Sequence, residues 1–262
     1  MSENTSIEWT HHTFNPWHGC TKVSAGCAHC YAKVRDDRYL LEPTSHWGPG
    51  APRRVMSDAY WRKPYTWDRA AERAGRSTLV FCASRADVFE EEAPQDAQER
   101  LWGVIEATPH LRWQLLTKRP ERILECIPEA WRSREPCNVG YGTSVEDANQ
   151  TWRARELAKV PAVLRFLSVE PLLGPIPRLP LRGIGWVIVG GESGHGARVM
   201  SPAWARQIRD RVTARRIPFF FKQWGQYDDL GVRRRGKHYP GFDVLDGRRW
   251  VEYPAVQVRS AG

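Results

Sequence analysis

"LRFLSVEPLLGPIPRLPLRGIGWVIVGGE", residues 164 to 192, contains two short apolar runs that each stop at an acid, joined by a connection punctuated with Pro and Gly. "LRFLSVE" (164–170) and "GWVIVGGE" (185–192) are short for helices and rich in the branched and aromatic residues of buried strands. The same signature recurs in "TLVFCAS" (78–84), "LRWQLLTK" (111–118), "NVGYGTS" (138–144) and "PFFFKQW" (218–224). "EWTHHTFNPW" (8–17) adds a first strand near the amino end.

Helical patterns lie between most of these runs. "PQDAQERLWGVIEA" (94–107) repeats apolar residues at Leu101, Val104 and Ile105, and "PERILECI" (120–127) predicts a shorter helix. "SVEDANQTWRARELAKV" (144–160) opens on Ser144 with acids suited to a helix amino end. "SPAWARQIRDRVTARR" (201–216) offers Ser201 as N-cap, Pro202 in the first turn and a basic last turn. A further helix is expected through "YAKVRDDRYLLE" (31–42).

Strands alternating with helices require a mainly parallel sheet with helices outside it. No GxGxxG follows the first strand, which argues against a dinucleotide fold and for an incomplete barrel. The expected architecture is α/β: a partial (β/α) barrel of six or seven mainly parallel strands over residues 1–225. A long excursion is expected at 45–76, and a short C-terminal extension at 226–262 packs on the same domain.

The 262 residues suffice for a sizeable core, and 41% hydrophobic with 26% charged residues is an ordinary globular balance, so the body of the chain is not expected to be disordered. No apolar run reaches the length of a membrane span, and "MSENTSIEWTHH" is polar where a signal peptide would be apolar. The expectation is a cytoplasmic protein with no membrane partner. A formal charge of +9 favours polyanions, nucleic acid first among them, although an inert basic surface gives the same number. Thirteen Trp, including Trp17, Trp61, Trp67, Trp113 and Trp224 near predicted strand ends, are read first as packing and second as base-stacking faces. "RRRGKH" (233–238) reads as a phosphate contact or as a solvated turn.

Three of the six cysteines crowd into one loop just after the first predicted strand, as Cys20, Cys27 and Cys30 in the spacing C-x6-C-x2-C. Cys82, Cys126 and Cys137 are scattered and read as plain thiols. In a reducing compartment such a cluster points to a soft metal. Zinc would need a fourth ligand, for which His18 and His29 are candidates, whereas an iron-sulfur cluster on three cysteines keeps one iron open to a small molecule. No second CxxC or HxxxH hairpin occurs, and the loop would open at the carboxyl ends of the strands, where barrel chemistry takes place.

Those same strand ends carry polar groups. Ser84 and Asp87 follow one strand, Lys118 the next, Thr143, Ser144 and Glu146 the third, then Glu170, Glu192, and Lys222 with Gln223. Strands also stop at polar residues simply on reaching solvent, but lysines and acids recurring at four ends fit one shared cavity.

A three-cysteine loop after strand one, with His29 before its last cysteine and a partial barrel behind it, resembles the radical SAM superfamily. More closely, "FNPWHGCTKVSAGCAHCYA", "LLTKRP", "SVEPLLGPI", "VIVGGESG" and "FFFKQWG" are similar to a phage-associated family of three-cysteine proteins of unknown function. The spacing departs from the usual superfamily C-x3-C-x2-C by three residues.

The resemblance implies a 4Fe-4S cluster on Cys20, Cys27 and Cys30 that binds S-adenosyl-L-methionine (SAM) and cleaves it reductively to a 5'-deoxyadenosyl radical. It also implies an external electron donor and, with the basic charge, a nucleic acid or nucleotide substrate. The ammonium, sulfonium and carboxylate of SAM would be met by Lys118, Glu170, Glu192 and Lys222, with Ser84, Asp87 and His29 nearby. "GGES" resembles the superfamily segment that contacts the methionine amino group, which would give that role to Gly190, Gly191 and Glu192, although here it follows a late strand. Two readings of other classes stand beside this one: a zinc-stabilised nucleic-acid-binding protein without catalysis, and a redox-sensing iron-sulfur protein.

Overall fold

The computed structural model describes residues 5–39, 45–133, 136 and 138–255. Cys137, the end of the first predicted helix and the last residues of the extension lie outside the described residues. The chain divides into two compact units, residues 1–142 with 160–163, and residues 143–159 with 164–262.

The first unit opens with β1 (His12–Thr13) and β2 (Trp17–His18), passes through the cysteine loop, and continues into α1 (Tyr31–Tyr39). The excursion follows as β3 (Arg54–Val55), α2 (Asp58–Trp61) and α3 (Lys63–Arg73). Next come β4 (Thr78–Cys82), α4 (Gln95–Glu106), β5 (Leu111–Thr117), α5 (Ile123–Cys126) and α6 (Glu129–Ser133), and then β6 (Val139–Ser144), along which the chain passes into the second unit. That unit holds α7 (Trp152–Leu157), β7 (Leu164–Val169), β8 (Trp186–Gly190), α8 (Pro202–Thr213), β9 (Phe219–Gln223), β10 (Val244–Leu245) and β11 (Arg248–Arg249).

The main sheet is parallel with strand order β1-β4-β5-β6-β7-β8-β9, so the fold class is α/β, a partial barrel of seven strands. All seven strand regions named from the sequence are strands. Parallel strands with helices on the outer face bury both sides, which is why "LRFLSV" and "WVIVG" read as nearly continuous apolar runs.

Several details differ from expectation, each for a local reason. The excursion is largely helical: Pro64 falls at the start of α3, and Trp67 and Ala71, four apart, bury one face of it. β3 returns antiparallel to β2, pairing Trp17 with Val55 and His18 with Arg54. Ser144 does not open a helix but ends β6; the helix-start cap is Asp147, whose carboxylate accepts from Asn149 N at 2.8 Å. Ser201 sits at the N-cap of α8 without a side-chain hydrogen bond, leaving Pro202 to set the first turn. The extension is a hairpin whose turn, Asp246-Gly247, has φ of 53° and 74°, the left-handed pair that a two-residue turn needs.

The five tryptophans near strand ends are core residues, not exposed faces: Trp17, Trp61, Trp67, Trp113 and Trp224 are all buried. In the first unit Phe14 stacks on Tyr60 at 5.1 Å and meets Trp61 and Trp113 edge-on. In the second, the Trp186 indole donates to the Glu252 carbonyl at 2.8 Å and the Trp224 indole to the Val244 carbonyl at 2.8 Å, so the extension lies on the strands of its own unit.

One contact in the second unit leaves no room for a side chain. A Cβ on Gly191 would stand 1.9 Å from the Trp224 carbonyl oxygen, while one on Gly103, in α4, would meet nothing within 4 Å. Gly191→Ala is therefore expected to lose about 3 kcal/mol or more by overpacking, whereas Gly103→Ala gains up to about 1 kcal/mol in helix propensity. Opposite shifts in thermal midpoint between the two variants check the contact.

Candidate functional site

The cysteine loop leaves the sheet at Gly19, whose N–H donates to the Arg85 carbonyl at 3.0 Å. Gly19 has φ of +104°, and a Cβ there would lie 1.9 Å from the His46 carbonyl oxygen, so only glycine admits this crossing. Cys20 follows, its carbonyl accepting from Gly48 N at 3.2 Å. A tight turn over Ala25–Cys27 carries the second thiol, and Cys30 stands just ahead of α1, its carbonyl accepting from Val34 N at 3.0 Å. All three thiols are half-buried and none is in a disulfide. Burial pushes the Cys20 thiol well above its ordinary range, with further contributions from the Asp87 and Glu90 carboxylates and from Cys30 and Cys27. Among the described residues, no three His, Cys, Asp or Glu side chains converge closely enough to hold a single metal ion.

Two arginines and two acids hold this loop. Thr21 N donates to Glu90 Oε2 at 2.9 Å. Arg53 donates from Nε to Glu90 Oε1 at 2.8 Å, from Nη2 to Thr21 Oγ1 at 3.1 Å and to Glu92 Oε2 at 2.6 Å, and from Nη1 to the carbonyls of His46, Gly48 and Ala51. Arg119 reaches the Thr21 carbonyl at 2.9 Å and Asp87 Oδ2 at 3.1 Å. Arg53 and Glu90 side chains are 2% and 1% exposed, so this pairing is screened from water. Burial alone would lower the Arg119 guanidinium, but Asp87, Glu90, Glu91 and Cys20 outweigh it and hold the charge in place.

Asp87 is a full member of this clasp. Its Oδ1 accepts from Thr117 Oγ1 at 2.7 Å and Phe89 N at 3.1 Å, and its Oδ2 from Lys118 N and Arg119 Nη1, both at 3.1 Å. A carboxylate has about four acceptor positions; here they fasten the ends of β4 and β5 together. Lys118 enters this cluster through its backbone N–H. Ser84 is tied to Asn15, a fully buried side chain whose Oδ1 also accepts from Arg85 N at 2.7 Å, and the Ser84 carbonyl accepts from the Tyr31 hydroxyl at 2.6 Å. His29 is half-buried within the loop. His18 is buried beside Asp36, and burial followed by the charge of Arg85 pushes its ring down to about 4, so it is neutral at ordinary pH.

In the second unit Glu170 and Lys222 meet at 2.7 Å, both mostly buried, and Ser168 Oγ donates to the other oxygen of Glu170 at 3.2 Å. Gly190 makes room for this carboxylate: a Cβ there would be 2.8 Å from Glu170 Oε1. Gly191 instead allows close approach of the Trp224–Gly225 segment, with Gly191 N donating to the Gln223 carbonyl at 2.9 Å and Gln226 N to the Glu192 carbonyl at 2.8 Å. Glu192 is buried and gripped by Arg198, which donates from its backbone N at 2.9 Å, Nε at 2.8 Å and Nη2 at 2.6 Å.

Of the residues named from the sequence, the first unit thus brings Cys20, Cys27, Cys30 and Asp87 into one electrostatic cluster, with the Lys118 backbone at its edge. The second unit joins Glu170, Lys222 and Gly190, while Glu192 turns to Arg198. The sequence reading missed Arg53, Glu90, Arg119 and Arg198. Arg119 adjoins Lys118 within "LLTKRP", but Arg53 is 33 residues from Cys20, too far along the chain for spacing to reveal the contact.

An α/β partial barrel with a clasped three-cysteine loop after its first strand is the class that fold and site define. The chain belongs to the family described as "Protein of unknown function (DUF5131)", which it matches over residues 4–254. No curated protein matches. Among solved structures it is similar to a cysteine-to-serine variant of spore photoproduct lyase, at 15% identity and TM-score 0.45, over 78% of this chain and 61% of that chain. It is also similar to a variant of the same enzyme with bound AdoMet and dinucleoside spore photoproduct, at 13% identity, TM-score 0.45 and the same coverage. The chain therefore spans 61% of the length of these structures. Among the described residues, no helix is long and apolar enough to cross a membrane.

Glu90→Gln takes from the buried Arg53 one of its two carboxylate partners, leaving Glu92, and unfolding in urea should show a loss of about 1.5 to 3 kcal/mol. The exposed pair Lys159 and Glu156 gives the contrast, since Glu156→Gln should change stability by less than about 1 kcal/mol.

Proposed function

We propose that this protein is a radical SAM enzyme whose Cys20, Cys27 and Cys30 hold a 4Fe-4S cluster and whose substrate is a nucleic acid or nucleotide. The observation that carries the reading is the loop itself: three half-buried thiols, none in a disulfide, on a segment that follows the first parallel strand and is clasped at Thr21. A donor set of three thiols suits iron-sulfur chemistry.

Cys20, Cys27 and Cys30 would hold this cluster, and the chemistry it would supply is one-electron reduction of SAM to a hydrogen-abstracting radical. The electron itself comes from an external donor, as in a protein working in the cytoplasm. The chain's own residues bind and orient. Arg53, Glu90, Arg119 and Asp87 fix the loop before any metal arrives, and Arg119 offsets the negative charge that three thiolates would add. Lys222 and Glu170 are assigned to SAM, the ammonium toward its carboxylate and the carboxylate toward its amino group. Lys222 donates one hydrogen bond, to Glu170 Oε1, of the three an ammonium can make. Ser84, Lys118 and His29 are assigned to the surroundings of the cofactor in the first unit, and Gly190, Gly191 and Glu192 to shaping its cradle in the second.

Anaerobic reconstitution is expected to give about four irons per chain and, with a strong reductant and SAM, 5'-deoxyadenosine. Cys27→Ala should lose iron and product together, because two ligands are too few. Stoichiometric tight zinc with no 5'-deoxyadenosine would replace this reading with a zinc-stabilised binding protein, and a cluster that ignores SAM would replace it with a redox sensor.

Lys222→Met should keep its iron content but bind SAM about tenfold more weakly or worse, the effect of losing one charge-assisted hydrogen bond. Equilibrium dialysis of reconstituted protein measures both quantities.

A further inference from the structure

The helix that leaves the cysteine loop turns an uncovered face outward. In α1 only Ala32 and Asp36 are buried, one turn apart. On the other side run Tyr31, Val34, Arg35, Arg38 and Tyr39, all exposed. Their i, i+3, i+4, i+7, i+8 spacing places them on one stripe. Tyr31 is 59% exposed and Tyr39 68%, values at odds with rings that serve a core. The Tyr31 hydroxyl is nevertheless anchored on the Ser84 carbonyl at 2.6 Å, which fixes the ring while leaving much of it open.

The stripe is also positive. The acids of α1 are engaged elsewhere: Asp36 is buried against Arg85 and accepts from the Trp47 indole at 3.2 Å, and Asp37 pairs with Lys33 at 2.7 Å. Among the described residues, Arg35 and Arg38 join no ion pair. Arg85 stands beside Arg35: burial, then the Arg35 charge, pushes its guanidinium below its ordinary value, and Arg85 Nε has no hydrogen-bond partner. With Arg85 paired to Asp36, the exposed Arg35 and Arg38 are the charges on this stripe that an anion running along the helix would meet. Two aromatic rings flanking two arginines along the stripe from Tyr31 to Tyr39, about 12 Å of helix, set stacking faces for bases beside charges for phosphates.

We infer that the exposed face of α1 is a docking surface for single-stranded nucleic acid, with Arg35 and Arg38 on phosphates and Tyr31 and Tyr39 stacked on bases. The inference rests on the substrate class of the proposed function and not on the cluster. It would place the strand on the helix that begins one residue after Cys30.

The test is anisotropy of a fluorescent single-stranded oligonucleotide with the full chain, titrated across salt. Replacing both Arg35→Ala and Arg38→Ala should weaken binding and reduce the log–log salt slope by about 1.4, two contacts at about 0.7 each. Tyr39→Ala should weaken binding about fivefold or more with the slope unchanged, and Tyr39→Phe should restore it. All these side chains are exposed, so circular dichroism should be the same in every variant. Wild-type protein that binds no oligonucleotide, or variants that bind as wild type does, would overturn the inference. So would self-association that Tyr39→Ala abolishes while oligonucleotide binding persists, which would give the face to a second copy of the chain. Protein that makes 5'-deoxyadenosine yet ignores oligonucleotides overturns this inference alone; protein that binds them through this face but takes up no iron overturns the enzymatic reading alone.

Discussion

The buried pairing of Arg53 with Glu90, extended by Arg119 and Asp87, is the interaction on which the candidate site depends. A loop of three thiols has little apolar surface to bury and, until it is filled, no cross-link to hold it. Hydrogen bonds at Thr21 supply the order instead: its N–H donates to Glu90 and its carbonyl accepts from Arg119. Charged hydrogen bonds of this kind are stronger than neutral ones, and their partners here are screened from water. Desolvating four charges is costly, and the arrangement stands because nearly every donor and acceptor finds a counterpart. The same clasp ties the excursion to the sheet, since Arg53 also gathers the carbonyls of His46, Gly48 and Ala51.

In the second unit order comes from close backbone approach rather than charge. Gly191 and Gly225 let the ends of β8 and β9 interlock, and a Cβ on either would strike the backbone of the opposite segment. The result is a rigid seat for Glu170 and Lys222, whose pairing at 2.7 Å would be poorly defined on mobile loops. Glycines that from sequence alone resemble a ligand-binding segment therefore have an explanation in packing, except at Gly190, where the group filling the absent side chain's space is the Glu170 carboxylate itself.

Legibility followed the physics of each feature. Most of the strand regions were readable because burial on both faces makes a parallel strand apolar along its length, as in "GWVIVGGE", whereas the first strand, His12–Thr13, is polar. The cysteine loop was readable from spacing alone. The excursion was not: Gly and Pro at its beginning masked an amphipathic helix at Lys63–Arg73, whose buried face is set by Trp67 and Ala71. Nor were Arg53 and Glu90 readable, because a buried ion pair between residues 37 apart leaves no periodic trace and each member looks like a surface charge. Asp87 was picked out by its strand-end position, but its four hydrogen bonds, which show it to be a fastener, exist only in three dimensions.

Charge placement connects these observations. The chain carries +9, yet around Cys20 the nearby carboxylates and arginines are closely interleaved, so the thiols sit in a locally balanced environment and not in a positive one. A strongly positive setting would lower the thiols into their reactive range and expose them to oxidation. Here burial and two acids push the Cys20 thiol upward instead. The excess positive charge appears one helical turn away, on the outer stripe of α1, where it can attract a polyanion without perturbing the sulfurs. On the readings proposed above, the loop would hold a soft metal and α1 would meet a phosphate chain, with Asp36 and Arg85 neutralising each other at the helix.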